Sequence, residues 1–282
     1  MWKQKIGISV GNNYSVPTAE LVKALKRIGF DAVSPEWERN IDIDKIITSA
    51  KSCGLEIQSL HAPYLKATDL WSRDSAVSEP ALDELLDTIK DCKRHSVPIA
   101  VVHTWIGFEY EFDESSLYFD NFEKLVEEAG KAGVKIAFEN TEGDEYLFAL
   151  MEHFSGCDTV GFCWDSGHEL CYNHSADLLA SFGDRLIMTH LNDNLGISRY
   201  DGKTYWTDDL HLLPYDGIAD WDYNIDRLKK SNKLDILNFE LVINSKPNRL
   251  ENDIYGQMSI EQYFTEVYKR ACRIAYRYNS KG

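Results

Sequence analysis

Eight short apolar runs punctuate the chain, at 5–11, 32–37, 56–64, 99–105, 135–141, 160–168, 186–194 and 236–242. They are rich in β-branched and aromatic residues, as in Ile99-Ala-Val-Val-His103, Leu186-Ile-Met-Thr-His190 and Ile236-Leu-Asn-Phe-Glu240. Such runs are apolar at successive positions, which marks strands covered on both faces in a parallel sheet. Between them the apolar period lengthens to that of a helix. The segment 81–93 sets Leu82, Leu85, Leu86, Ile89 and Cys92 on one stripe, 121–131 does the same with Phe122, Leu125, Val126 and Ala129, and 259–278 with Tyr263, Phe264, Val267, Ala271 and Ile274. Pro17 just inside one helix and Gly29 just past its end match helix start and stop chemistry. Strand and helix alternating in this way predict an α/β protein, a (β/α)8 TIM barrel forming a single domain over 1–282. The competitor is an open doubly wound sheet, but Gly7-Ile-Ser-Val-Gly11 after the first run lacks the spacing of a dinucleotide-binding turn.

Six of the runs carry a metal-ligand type at or near their ends: His61, His103, Glu139, Asp165, His190 and Glu240. In a closed parallel barrel the carboxyl ends of the strands converge on one face, so these side chains are expected around a single point. Any one of them alone is adequately explained by a hydrogen bond to a neighbour. Together, Glu139, Asp165, His190 and Glu240 need a common partner, because a buried carboxylate is costly unless paired or metal-bound. Mixed carboxylate and imidazole donors suit a divalent ion: Mn, Zn, Co, Fe or Mg. His61, His103, His168, Asp209 and His211 are expected at the same mouth, as additional metal ligands or substrate contacts. The irregular stretch 194–220, rich in Asp, Gly, Tyr and Trp, reads as a functional loop above them. Trp105, Trp164, Trp206 and Trp221 fall close to the strand ends or the loop, where an indole face could stack on an apolar ligand face, although Trp164 alternates with the inward Asp165 and is expected to pack outward. Lys66, Arg199 and Lys203 are the nearest cations for a substrate phosphate.

With 46 acidic residues against 30 basic ones the formal net charge is −16, a field that opposes nucleic acid as a partner. The 44% hydrophobic content supports a large core, and no apolar stretch nears the roughly 20 residues of a membrane span. A soluble, cytoplasmic protein is expected, and a homo-oligomer is compatible, with the loop 200–206 able to cover a neighbour's site. The six cysteines show no paired spacing and read as buried free thiols, Cys163 as a core residue.

The motifs Ser59-Leu-His-Ala-Pro-Tyr64, Phe138-Glu-Asn-Thr141, Cys163-Trp-Asp-Ser-Gly-His168, Thr189-His-Leu-Asn-Asp-Asn194, Asp209-Leu-His211 and Phe239-Glu-Leu-Val242 resemble, as a set, those of the xylose isomerase-like barrel superfamily. The resemblance spans nearly the whole chain. It implies one divalent ion held by Glu139, Asp165, His190 and Glu240, with Glu139 and Glu240 also moving the proton beside a carbonyl through a metal-stabilised enediolate. The implied activity is isomerisation or epimerisation of a small sugar or sugar phosphate. A dehydratase acting on an inosose starts with the same proton abstraction and is a close variant. Class II apurinic endonucleases share the superfamily, and all nine ligand types of their trinuclear zinc site have counterparts here in order: His61, His103, Glu139, Asp165, His168, His190, Asp209, His211 and Glu240. The loop between Asp193 and Asp209 departs from the endonuclease pattern. A catalytically silent barrel that binds a sugar is the reading from another class.

Overall fold

The computed structural model describes residues 4–11, 14–174, 176–199 and 203–280. Its strands are β1 (Lys5–Val10), β2 (Ala32–Pro35), β3 (Glu56–Ile57), β4 (Ser59–His61), β5 (Ile99–His103), β6 (Lys135–Glu139), β7 (Val160–Asp165), β8 (Leu186–His190) and β9 (Ile236–Phe239). Every pairing among them is parallel, in two arcs ordered β3-β2-β1-β9 and β4-β5-β6-β7-β8. Single bridges between Glu36 and His61 and between Leu191 and Phe239 join the arcs and close the barrel. The expected run 56–64 is thus one barrel position divided at Gln58: its first half pairs with β2 and its second with β5.

Helices fill the outer ring: α1 (Thr18–Ile28), α2 (Ile43–Ser52), α3 (Ser75–His95), α4 (Asp120–Ala132), α5 (Asp144–His153), α6 (Ser166–Cys171), α7 (Leu178–Phe182), α8 (Trp221–Lys230), α9 (Asp253–Gly256) and α10 (Ile260–Asn279). The (β/α)8 barrel is therefore present as the alternation predicted. Helix α3 starts earlier than its apolar stripe, because the Asp74 carboxylate caps it by accepting from Ala76 N, and it carries Pro80 inside its second turn at the loss of one backbone hydrogen bond. Helix α10 opens with a capping box between Ser259 and Gln262. Pro17 stands one place before α1 rather than within it.

Strand parity sets the inside of the barrel. Val101, Ala137, Cys163 and Met188 form a small fully buried apolar layer, while Phe138, Phe162 and Trp164 point the other way, into the core beneath the helices. His103, Glu139, Asp165 and His190 each stand two residues past a member of that layer. At about 3.3 Å per residue they therefore lie one tier higher on the same inward face. Cys163 is part of this core layer, and all six cysteines are free. No helix among the described residues is long and apolar enough to cross a membrane.

Candidate metal centre at the barrel mouth

Glu139 ends β6 and is sealed: its side chain is 0% exposed. Four histidines surround it. His190 Nδ1 meets Oε1 at 2.9 Å, His168 Nδ1 stands 3.6 Å from the same oxygen, and His61 Nε2 and His103 Nε2 face Oε2 at 3.3 and 3.4 Å. Burial opposes ionisation of Glu139, but His190 and His103 outweigh it and hold its carboxyl well below the usual range. The histidines respond in kind. Burial works to lower His61, yet Glu139 raises it to about 9.

Asp165 does two jobs. Its Oδ1 accepts from Gly167 N and His168 N at 2.8 and 2.7 Å, which starts α6, and Asn192 Nδ2 bonds both of its oxygens. That cap turns the chain sharply and delivers His168, whose Nδ1 meets Asn140 O at 2.9 Å while Nε2 stands 3.5 Å from Asp209 Oδ1. The strand is therefore shorter than the run 160–168, since the carboxylate diverts the backbone into a helix. Glu240 follows β9 directly, is 19% exposed at its side chain, and stands 3.3 Å from His190 Nδ1 and 3.8 Å from His211 Nδ1.

The long loop is ordered by a buried carboxylate that the sequence analysis passed over. Asp193 accepts from Tyr215 N, Ala219 N and Trp221 Nε1 at 2.8, 3.0 and 2.9 Å, and its backbone pairs with Leu212. This fold-back carries Asp209 and His211 over the mouth, His211 in left-handed backbone geometry at φ 44°. His211 Nε2 lies 2.9 Å from Asp209, and burial of Asp209 is outweighed by His211 and His168, which hold its carboxyl well below normal. His211 itself is raised to about 9, against burial, chiefly by Asp209. Part of the loop expected to cover a neighbour, residues 200–202, lies outside the described residues.

All nine expected ligand residues are thus gathered, in overlapping groups whose donor atoms lie within 4.8 Å of one another: His61, His103 and Glu139; Glu139, Asp165, His190 and Glu240; and His168, Asp209 and His211. Glu139 Oε2 and Asp209 Oδ1 are buried with no well-formed hydrogen bond, although imidazole nitrogens stand 3.3 and 3.4 Å from the first and 2.9 and 3.5 Å from the second. Carboxylate and imidazole groups converging in this way fit a hard or borderline divalent ion.

Above this floor opens a cavity of about 580 Å³, lined among others by His61, His103, His168, His211 and Glu240. Its lining carries the carboxylates of Glu36, Glu142, Asp209 and Glu240 and, among the described residues, one ammonium, Lys246. Lys246 Nζ stands 3.4 Å from Asp209 Oδ2 and 5.5 Å above the Trp206 ring. Stacked pairs wall the cavity, Tyr64 on His103 at 4.7 Å and Tyr172 on His168 at 4.9 Å.

The structure does not bring every expected residue here. Trp105 stacks on Tyr146 at 3.9 Å and donates to Gly107 O, outside the cavity lining, because Gly143 leaves its face room against α5. Trp206 takes the exposed aromatic position instead. Lys66 is paired to Glu84 at 2.6 Å and Arg199 stacks on Tyr205, so neither lines the main cavity. Trp164 packs outward as expected, donating to Glu169 beneath Arg227. Glu36 and Lys246 were missed; Glu36 had a signal, since it too follows an apolar run, Ala32-Val-Ser-Pro35.

Comparison with known proteins bears on the fold. The model of the xylose isomerase-like TIM barrel family matches residues 22–254. An uncharacterized protein, y4fM, of Sinorhizobium fredii (strain NBRC 101917 / NGR234) is 32% identical over 179 residues, which cover 60% of this chain and 54% of that protein. The chain thus spans about half the length of that curated relative. Among solved structures, the IOLI protein with a binding zinc atom superposes with a TM-score of 0.76 at 17% identity, covering 97% of this chain and 99% of the other. D-psicose 3-epimerase with D-tagatose, from Clostridium cellulolyticum H10, gives 0.68 at 14% identity over 96% and 99%. The 3-keto-D-glucoside 4-epimerase of E. coli gives 0.67 at 15% identity over 95% and 100%.

Proposed function

The chain belongs to the xylose isomerase-like TIM barrel family, and from that premise we propose that it is a metal-dependent isomerase or epimerase of an unphosphorylated sugar or cyclitol. The observation that carries this reading is the group Glu139, Asp165, His190 and Glu240, whose donor atoms lie within 4.8 Å of one another beneath a cavity that Glu240 lines. A divalent ion held there would polarise a carbonyl oxygen and its neighbouring hydroxyl, making the adjoining carbon-bound hydrogen more acidic. Glu240, facing the cavity, removes or returns that proton. Glu139, the other glutamate of the expected pair, serves from beneath as a ligand and keeps the histidines around it charged or correctly oriented. His168, His211 and Asp209 offer donors and acceptors to hydroxyls, and Tyr64, Tyr172 and Trp206 offer flat faces to the carbon skeleton.

The described lining offers one ammonium, already facing Asp209, and imidazoles that face Glu139 and Asp209, so its cationic groups are matched by carboxylates within the site, which favours a neutral occupant over a phosphorylated one. Neither Lys66 nor Arg199, looked for as phosphate ligands, lines the main cavity. The setting that suits these features is a cytoplasmic enzyme of carbohydrate metabolism.

The test is elemental mass spectrometry of metal per chain, followed by chromatography of products from D-psicose, D-tagatose and a 3-keto-glucoside. About one divalent ion per chain is expected, with turnover of at least one ketose falling at least ~100-fold in Glu240→Gln. Protein that binds no divalent ion, or that in loaded form converts none of these compounds, counts against the reading. A second reading has its own observation: nine carboxylate and imidazole residues gather at one mouth in several overlapping groups, more donors than one ion needs. Near three zinc per chain, with cleavage of DNA at an abasic site, would support a phosphodiesterase.

A further inference from the structure

Two of the motifs carry an asparagine that the metal reading leaves unused: Asn140 in Phe138-Glu-Asn-Thr141 and Asn192 in Thr189-His-Leu-Asn-Asp-Asn194. Both are 0% exposed, and both turn to Asp165. Strand β7 lies between β6 and β8, and its ladders stop at Cys163 opposite Glu139 on one side and at Asp165 opposite His190 on the other. Past those points side chains replace the ladder. Asn140 Oδ1 accepts from Asp165 N at 2.7 Å and Asn140 Nδ2 donates to Asp165 O at 2.9 Å, so one amide grips the main chain of Asp165 by both of its polar groups.

From the β8 side, Asn192 holds the carboxylate. Its Nδ2 stands 2.9 Å from Asp165 Oδ2 and 3.1 Å from Oδ1. The Ser166 hydroxyl fixes its backbone, donating to Asn192 O at 2.7 Å and accepting from Asn192 N at 3.0 Å. Donors are shared unevenly between the two carboxylate oxygens. Oδ1 accepts from Gly167 N, His168 N and Asn192, whereas Oδ2 accepts, among the described residues, from Asn192 alone. Oδ2 is therefore the oxygen with acceptor capacity left for a cation.

The far end of the Asn192 amide shows which part of it is in use. Its Oδ1 is buried and accepts no hydrogen bond from a described residue, which is a cost that an apolar side chain of the same shape would avoid. The chain even leaves room for that oxygen: a side-chain carbon built on Gly167 would lie 1.8 Å from it. The N–H end, on Asp165, is the end that is used.

We propose that Asn192 is a positioning residue of the metal centre: its amide orients Asp165 so that Oδ2 is the oxygen presented to the ion, and Gly167 is the residue that admits the amide. This rests on the metal-dependent reading above. Asn192 touches neither ion nor substrate; it acts through the ligand, as outer hydrogen bonds to metal ligands do.

The experiment measures Co²⁺ affinity by calorimetry, the visible absorption of the bound Co²⁺, and the Tm of the metal-free chain, on the full chain of wild type, Asn192→Leu, Asn192→Ala and Gly167→Ala. Asn192→Leu keeps the shape of the amide and removes its N–H together with its bare oxygen, so its metal-free Tm is expected to stay close to that of wild type. Its Co²⁺ affinity is expected to fall ~10- to 100-fold, with an altered absorption band. Gly167→Ala leaves the amide in place chemically but pushes it off Asp165, and the same loss is expected there. Wild-type affinity and absorption in the Asn192 variants overturn the assignment and leave the isomerase or epimerase reading standing. So does an affinity loss matched in every variant by lost metal-free stability, outright failure to fold included, since the amide would then serve the fold alone. Wild type that binds no Co²⁺ overturns the metal reading itself, and the assignment with it.

Discussion

At the scale of single residues, the site is a set of charges that sustain one another. His61 and His211 are both raised to about 9 by carboxylates pressed against them, Glu139 and Asp209, in spite of burial. In the metal-free chain each such histidine adds stability in full below its unfolded value of about 6.5, and that contribution is lost as pH climbs through about 9. A metal ion competes with the same protons. Its affinity is therefore expected to rise across pH 6.5 to 9, by up to roughly tenfold per pH unit for each proton displaced, and calorimetric titration of Co²⁺ in buffers of different ionisation enthalpy counts those protons. A flat affinity over that window would show that the ion displaces no proton from His61 or His211.

At the scale of elements, the decisive piece is the loop after β8. Four donors converge on the Asp193 carboxylate, those of Asn194 N, Tyr215 N, Ala219 N and Trp221 Nε1, and Gly217 passes so close that a side-chain carbon there would lie 2.2 Å from Asp193 Oδ1. Removing that acceptor leaves buried donors unsatisfied. Asp193→Ala is expected to cost about 3 kcal/mol and, more tellingly, to release the loop that carries Asp209 and His211. Limited proteolysis checks this: cleavage within 194–220 should appear at protease levels that leave wild type intact, with the barrel fragments otherwise resistant. Equal resistance in the variant would show that the loop is held by something else. The strand ends tell a related story. Apolar runs overshot the observed strands at 160–168 and 236–242: Asp165 turns the backbone into α6, and β9 ends at Phe239, with Glu240 N still donating to Leu191 O.

At the scale of the molecule, a chain of net charge −16 concentrates carboxylates at the mouth of its own barrel, where six of them, Glu36, Glu139, Glu142, Asp165, Asp209 and Glu240, line or underlie one cavity. Bound cations should therefore stabilise the whole fold. At a free metal concentration 1,000-fold above Kd the gain is about 4 kcal/mol, worth on the order of 10 °C in Tm for a domain of this size. Differential scanning calorimetry with and without a chelator measures it. A Tm indifferent to chelation would mean that the histidines alone balance the carboxylates and that the clusters are structural ion pairs.

The barrel, and the residues gathered at its mouth, were legible in the sequence because both depend on periodicity. Parallel strands buried on two faces read as continuous apolar runs, and parity then sends every residue two places beyond the interior layer to one face of a closed barrel. That logic delivered His61, His103, Glu139, Asp165 and His190 from sequence spacing alone. It carries no information on which of several converging side chains ends up on top. Only the tertiary structure decided that Glu139 lies sealed beneath four histidines while Glu240 meets the cavity, that Trp105 turns to Tyr146 while Trp206 takes the exposed place, and that Glu36 occupies the space left by Gly11. Exposure and order within a site are set by packing between strands far apart in sequence. A pattern along one chain cannot contain them.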